Sequence, residues 1–196
     1  MTEIANILDA EKNLDGIELA VFDLDDTLYS EKEYVRSGFM AAAPERFDEL
    51  WQAFLNGRPA FDTVLGEGAK AALEIYRSHK PNISLYPGVR AMLERIKASG
   101  RKLALVTDGR PGGQRNKIAA LEIEELFDRI IITDELGGIE FRKPCSLAFE
   151  TLQREFNLPF EKMAYIGDNI KKDFIASEKL GMKSIYFKNE KGLYNK

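Results

Sequence analysis

The chain has 196 residues, 44% hydrophobic and 31% charged, with a net charge of −4, one cysteine and one histidine. That length buries a core without cross-links. The lone Cys145 excludes an internal disulfide and a thiolate zinc cluster, and the lone His79 leaves any histidine-based triad a single candidate. The acidic balance argues against nucleic acid as a partner, and no run approaches the about 18 apolar residues that a membrane span needs. Residues 1–15 carry Glu3, Asp9, Glu11 and Asp15 among short apolar pairs, unlike a signal peptide. The expected compartment is the cytoplasm, with no membrane partner.

In chain order, the first element is a short strand at residues 19–22, apolar throughout as buried parallel strands are. Residues 30–85 hold no convincing strand. They read as helices over 34–43, 45–55 and 69–77, punctuated by Gly57, Pro59, Pro81 and Pro87. Val89, Met92, Leu93 and Ile96 then repeat at helical spacing, with Gly100 as a stop. A strand at 103–106, a helix carrying Ile118 and Leu121, and a strand at 130–132 follow. Next come a helix marked by Phe149, Leu152 and Phe156, with Pro144 near its start, and a strand at 163–166. A helix with Ile170, Phe174 and Ile175 closes near Gly181 ahead of a last strand at 184–187. This alternation predicts an α/β fold: a three-layer α/β/α, Rossmann-like parallel sheet formed by residues 1–29 and 86–196. Residues 30–85 are expected to form a small α-helical cap inserted after the first strand, the alternative being extra helices packed against the core.

Ligands of such sheets lie at the C-terminal ends of the strands. There the chain places Asp23-Leu24-Asp25-Asp26-Thr27, Thr107-Asp108-Gly109 and Gly167-Asp168-Asn169, with Asp173 five residues beyond Asp168 and Lys143-Pro144 in an intervening loop. Converging carboxylates repel unless they are protonated or share a cation. Oxygen ligands without cysteine or histidine select a hard ion, magnesium before calcium. Thr107, the amides of Asp108 and Gly109, and Lys143 are donors suited to a phosphoryl group.

Asp23-x-Asp25-x-Thr27, Thr107-Asp108-Gly109, Lys143 and Gly167-Asp168-x4-Asp173 resemble, in order and in place, the four motifs of the haloacid dehalogenase superfamily. The resemblance runs from about Leu19 to Phe187. It implies a HAD-like fold and a Mg2+-dependent phosphatase. By resemblance, Asp23 is the nucleophile that takes the phosphoryl group, and Asp25 is the general acid and then base. Thr107 and Lys143 complete the catalytic set. Thr27, which orients Asp25 and its loop, is grouped with Asp108, Gly109 and Arg110 on the substrate side. Asp23, the Asp25 carbonyl and Asp168 hold the metal, with Asp173 acting through water or a second layer of contacts. About eighty residues separate Thr27 from Thr107, but only thirty-five separate Asp108 from Lys143. The pattern resembles subfamily I, with its small α-helical C1-type cap, which closes over a small phosphorylated metabolite in a monomer or homodimer.

Plainer readings apply to the neighbours. Asp26 is expected to be a turn or cap residue on extended backbone, pointing away from the site. Asp108 divides between a structural side chain and a donated amide. Asn169 would order the metal loop, His79 would pack, and Trp51 and Phe54 would form cap core. Arg36, Arg46, Arg58 and Arg77 would be solvated. Dehalogenase chemistry, which needs no leaving-group acid, is disfavoured by Asp25. A phosphosugar mutase on the same scaffold stays open, as does a non-catalytic relative that binds a phospholigand or partner.

Overall fold

A computed structural model describes residues 1–193. Six parallel strands form one sheet in the order β1-β6-β5-β2-β3-β4, where β1 is Thr2–Ile4, β2 Leu19–Phe22, β3 Lys102–Thr107, β4 Arg129–Ile132, β5 Met163–Gly167 and β6 Lys183–Phe187. The apolar strand runs follow from burial on both faces. In β2, Ala20 and Phe22 join one core cluster while Leu19 and Val21 join the other. In β3, Leu103 and Leu105 divide in the same way from Ala104 and Val106.

Helix α5 (Val89–Ala98) supplies Val89, Met92, Leu93 and Ile96 to the first cluster, and α6 (Pro111–Leu121) adds Ile118 and Leu121. On the opposite face, α7 (Leu147–Phe156) buries Ala148, Phe149 and Leu152, and α8 (Asp173–Leu180) buries Phe174 and Ala176. The layers are therefore α/β/α. One expectation is corrected: the sheet begins earlier than residue 19. Strand β1 pairs with β6 at the edge and buries only Ile4, too short to leave a periodic signal. The helical stretch thus follows the second strand in the chain, not the first.

That stretch comprises α1 (Glu31–Ala42), α2 (Phe47–Leu55), α3 (Ala60–Leu65) and α4 (Ala69–Ser78). Val35, Phe39, Ala43 and Leu50 form a cluster of their own, against which Phe47, Trp51, Phe54, Phe61 and Tyr76 pack. Trp51 and Phe54 are core here, as expected. Two details differ from the sequence reading. Pro44–Arg46 is a separate 3-10 turn ahead of α2, and α3 was not foreseen. The stretch leaves and rejoins the sheet at one place, where the Tyr86 N–H donates to the Leu28 carbonyl and Tyr29 bridges Leu85. No helix among the described residues is long and apolar enough to cross a membrane.

Candidate active site

The central strands β2, β3 and β5 end side by side, so the residues that follow them share one rim. A cavity of about 450 Å³ opens there, lined by Asp23, Asp25, Thr107, Lys143, Asp168 and Asn169 among others. Its floor is the ion pair of Lys143 Nζ with Asp23 Oδ1 at 2.5 Å. The same ammonium lies 2.9 Å from Asp173 Oδ1 and donates to Tyr165 Oη at 2.7 Å. Lys143 stands in a loop, yet its position is fixed, because its backbone N–H donates to Asp108 Oδ1 at 3.0 Å. Asp108 also accepts from Thr133 Oγ1 and Lys172 Nζ. The Asp108 side chain is thus a brace for the lysine loop, the structural half of the sequence reading.

Asp168 and Asp173 flank a tight turn. The Asp173 Oδ2 accepts the Asn169 N–H at 2.9 Å, and a Cβ on Gly167 would sit 2.6 Å from that oxygen, so only glycine fits. One carboxylate oxygen from each of Asp23, Asp168 and Asp173 lies within 4.8 Å of the others. Burial pushes the Asp168 carboxyl up to about 9, and the charges of Asp23 and Asp173 add to the rise. Burial also raises Asp23, to about 7, against the pull of Lys143. Asp168 Oδ2 is buried with no partner among the described residues. An all-oxygen cluster that is costly to ionise and presents an unpaired oxygen fits a hard divalent cation. Asp173 fits a supporting role better than direct ligation, since Lys143 and the Asn169 amide take its two oxygens.

Asp25 faces the cavity from the other side, and donors absent from the sequence reading hold it. Lys117 Nζ donates to its Oδ1 at 2.7 Å and Gln114 Nε2 to its Oδ2 at 3.0 Å. Tyr29 Oη donates to the same carboxylate. Burial alone would push the Asp25 carboxyl up, but the Lys117 charge with these hydrogen bonds outweighs it and holds the group below its ordinary value. Gln114 also donates to Thr107 Oγ1 at 2.5 Å, tying the second motif to the first. Lys117 and Gln114 lie on the buried face of α6, whose weak amphipathicity was the available signal. Lys172, Glu31 and Arg142, the last adjoining Lys143 in its loop, complete the lining.

Three expected placements are corrected. Thr27 does not orient the Asp25 side chain: its buried hydroxyl lies 3.4 Å from Asp23 Oδ2 and 3.4 Å from Asp168 Oδ1, beneath the cavity rather than in it. Arg110 is exposed at the start of α6 and lies outside the cavity lining, whereas Gly109 is part of it. Asp26 is the expected cap, accepting the Glu31 N–H at 2.9 Å, but its backbone is left-handed (φ 54°), not extended. His79 packs as expected, against Tyr34 and Tyr76, with Nδ1 2.6 Å from the Tyr76 carbonyl. Arg36 lies over the Phe47 and Trp51 rings, while Arg58 and Arg77 are exposed.

The family model described as haloacid dehalogenase-like hydrolase matches residues 20–187. The chain belongs to that family. Among its curated relatives, the glyceraldehyde 3-phosphate phosphatase of Pyrococcus abyssi is 34% identical over 52% of this chain and 42% of that enzyme. The Pyrococcus furiosus enzyme of the same name is 28% identical over 88% of this chain and 81% of its own length. The structure of CbbY from Rhodobacter sphaeroides in complex with phosphate superposes with a TM-score of 0.61 at 21% identity, covering 92% of this chain and 90% of that one. The curated relatives are phosphatases of the haloacid dehalogenase-like family, and the shared fold extends over nearly the whole chain.

Proposed function

We propose that this haloacid dehalogenase-like hydrolase is a Mg2+-dependent phosphatase that cleaves a small phosphorylated metabolite through an aspartyl-phosphate on Asp23. The observation that carries the reading is the Lys143–Asp23 pair at the floor of a cavity that Asp25, Thr107 and Asp168 also line. An Asp23 oxygen attacks phosphorus. Lys143 opposes the rise that burial gives the Asp23 carboxyl, favouring its ionised form, and offsets charge on the phosphoryl oxygens. Thr107 and the amides of Asp108 and Gly109 are the donors that would orient those oxygens.

Asp25 gives a proton to the departing alkoxide and later takes one from the attacking water. Paired with Lys117 it is a carboxylate, the form needed for the second step. An arriving phosphate dianion opposes the lysine and raises the carboxylate's proton affinity, so Asp25 takes up a proton from solvent as the substrate binds and delivers that proton in the first step. Asp23, Asp168 and the Asp25 carbonyl would hold the cation, which supplies positive charge against the phosphate and its carboxylate neighbours.

We treat residues 30–85 as a cap over the site, with 1–29 and 86–196 as the core. Their joined entry and exit, and a separate apolar cluster, support this division. The test is inorganic phosphate release from a panel of small phosphate esters, with Mg2+ and with chelator, using Asp23→Asn as control. The reading expects release by the wild type with Mg2+, and none in chelator or from the variant. Equal release by wild type and Asp23→Asn would refute it.

A further inference from the structure

Besides Lys117, the cations Lys143, Arg142 and Lys172 line the cavity, and they differ in what their protons already meet. An ammonium has three protons. Three protein oxygens surround that of Lys143: Asp23 Oδ1 at 2.5 Å, Tyr165 Oη at 2.7 Å and Asp173 Oδ1 at 2.9 Å. The Lys143 side chain is also 0% exposed. Lys143 therefore lends the site its charge but has no proton left for a ligand, although the sequence reading made it a donor. Arg142 turns its Nε and Nη2 onto the Asp134 carboxylate. Lys172, in the loop just before α8, has a side chain that is 37% exposed. It meets one acceptor among the described residues, Asp108 Oδ2 at 2.8 Å, so two of its three N–H groups stay open. That contact tethers the ammonium to the residue whose amide, with that of Gly109, would orient the phosphoryl oxygens. Lys172 is also near the nucleophile: burial raises the Asp23 carboxyl, and Lys143 and then Lys172 are the charges that oppose the rise.

We infer that Lys172 is a further catalytic residue, the side chain whose ammonium donates to the phosphoryl oxygens while Lys143 holds the nucleophile. The inference rests on the phosphatase reading and adds a group to that site. A tethered cation loses little freedom when the phosphoryl group arrives, and its contact strengthens as charge builds on the transferring oxygens.

The test compares wild type, Lys172→Met and Lys172→Arg, with melting curves to establish that the variants fold. Calorimetry measures the binding of inorganic phosphate in Mg2+. Phosphate release gives kcat/KM, at saturating Mg2+, for each ester of the panel that the wild type hydrolyses. Lys172→Met is expected to weaken phosphate binding tenfold or more and to lower kcat/KM about a hundredfold. The loss should be the same for esters with and without a second anionic group. Lys172→Arg, which keeps a charged donor, should recover at least tenfold of it. If the Met variant does not fold, Lys172→Gln, which keeps an N–H for Asp108 but no charge, decides by the same two measurements. Unchanged phosphate affinity and turnover in the folded variants overturn the inference. So does a loss confined to esters with a second anionic group, which would place Lys172 on the remainder of the substrate. So does a loss that saturating Mg2+ abolishes, which would make the lysine a support of the metal loop. All three outcomes leave the phosphatase reading intact. Failure of the wild type to release phosphate from any ester overturns both.

Discussion

Lys117 and Asp25 form a pair in which each side chain is the other's remedy for burial. Lys117→Met removes the cation, so a carboxylate walled in by Gln114 and Tyr29 keeps its desolvation cost without its partner. The variant is expected to be destabilised at neutral pH and to lose tenfold or more in kcat. The pH dependence follows from the directions of the shifts. Asp25 is held below its ordinary 3.8, so its share of the stabilisation is present above that value and is lost as pH falls through the lower folded value. Burial lowers Lys117, but the charges of Asp25 and Glu31 outweigh it and raise the group above 10.5, so its share persists below that value and is lost at higher pH. Denaturant melts across pH should therefore show a wild-type advantage over Lys117→Met that is level through neutrality and closes below about pH 4. An advantage that grows in acid would contradict the pairing. Asp168 has the opposite sign. Its carboxyl is raised from 3.8 to about 9, so in metal-free protein the native state holds a proton that the unfolded state releases, and stability falls as pH rises through that window. Asp168→Asn should flatten the fall. Added Mg2+ should raise the wild-type Tm more at pH 8 than at pH 5, and should do so much less in the variant.

At the scale of elements, the C-terminal segment braces the first catalytic loop. Asn189 Nδ2 donates to the Asp26 carbonyl at 2.7 Å and to Tyr86 Oη at 2.9 Å, and the Leu193 N–H reaches Asp26 Oδ2. Asn189→Ala leaves the buried Asp26 carbonyl without this donor, at a cost of about 1–3 kcal/mol. Equilibrium unfolding should show that loss, and kcat should fall because Asp26 adjoins Asp25 and caps α1. The brace was not legible beforehand, because nothing local marks Asn189 as a partner of a residue 163 positions away. The central strands were legible, because burial on both faces makes each an unbroken apolar run. Strand β1 was not, being three edge residues with one buried. Helix α3 is six residues long, under two turns, too short to set a helical period even though Phe61, Val64 and Leu65 pack on the cap cluster. The motif residues at strand ends were found through their carboxylates and their order. Lys117 and Gln114 escaped because polar residues on a helix ordinarily mark its solvated face, and here they face an acid.

At the scale of the whole molecule, the parallel sheet is what makes the site possible. Three adjacent strand ends bring Asp23, Thr107 and Asp168 together from positions more than eighty residues apart in the case of Asp23 and Thr107, and the α1–α4 stretch adds Glu31 from its first helix. Because the acidic cluster sits at the ends of strands whose packing does not depend on it, removal of the cation should silence the site without unfolding the sheet. Chelation is expected to abolish phosphate release, and re-addition of Mg2+ to restore it, with circular dichroism unchanged throughout. The central claim is that phosphorus passes through Asp23. Acid quenching during turnover, followed by peptide mass analysis, tests this directly. The account predicts a peptide containing Asp23 heavier by one phosphoryl group in the wild type, sensitive to hydroxylamine and absent from Asp23→Asn. Phosphate release by a wild type that turns over normally but never carries that mass on Asp23, even in Asp25→Asn where breakdown is slowed, would contradict it.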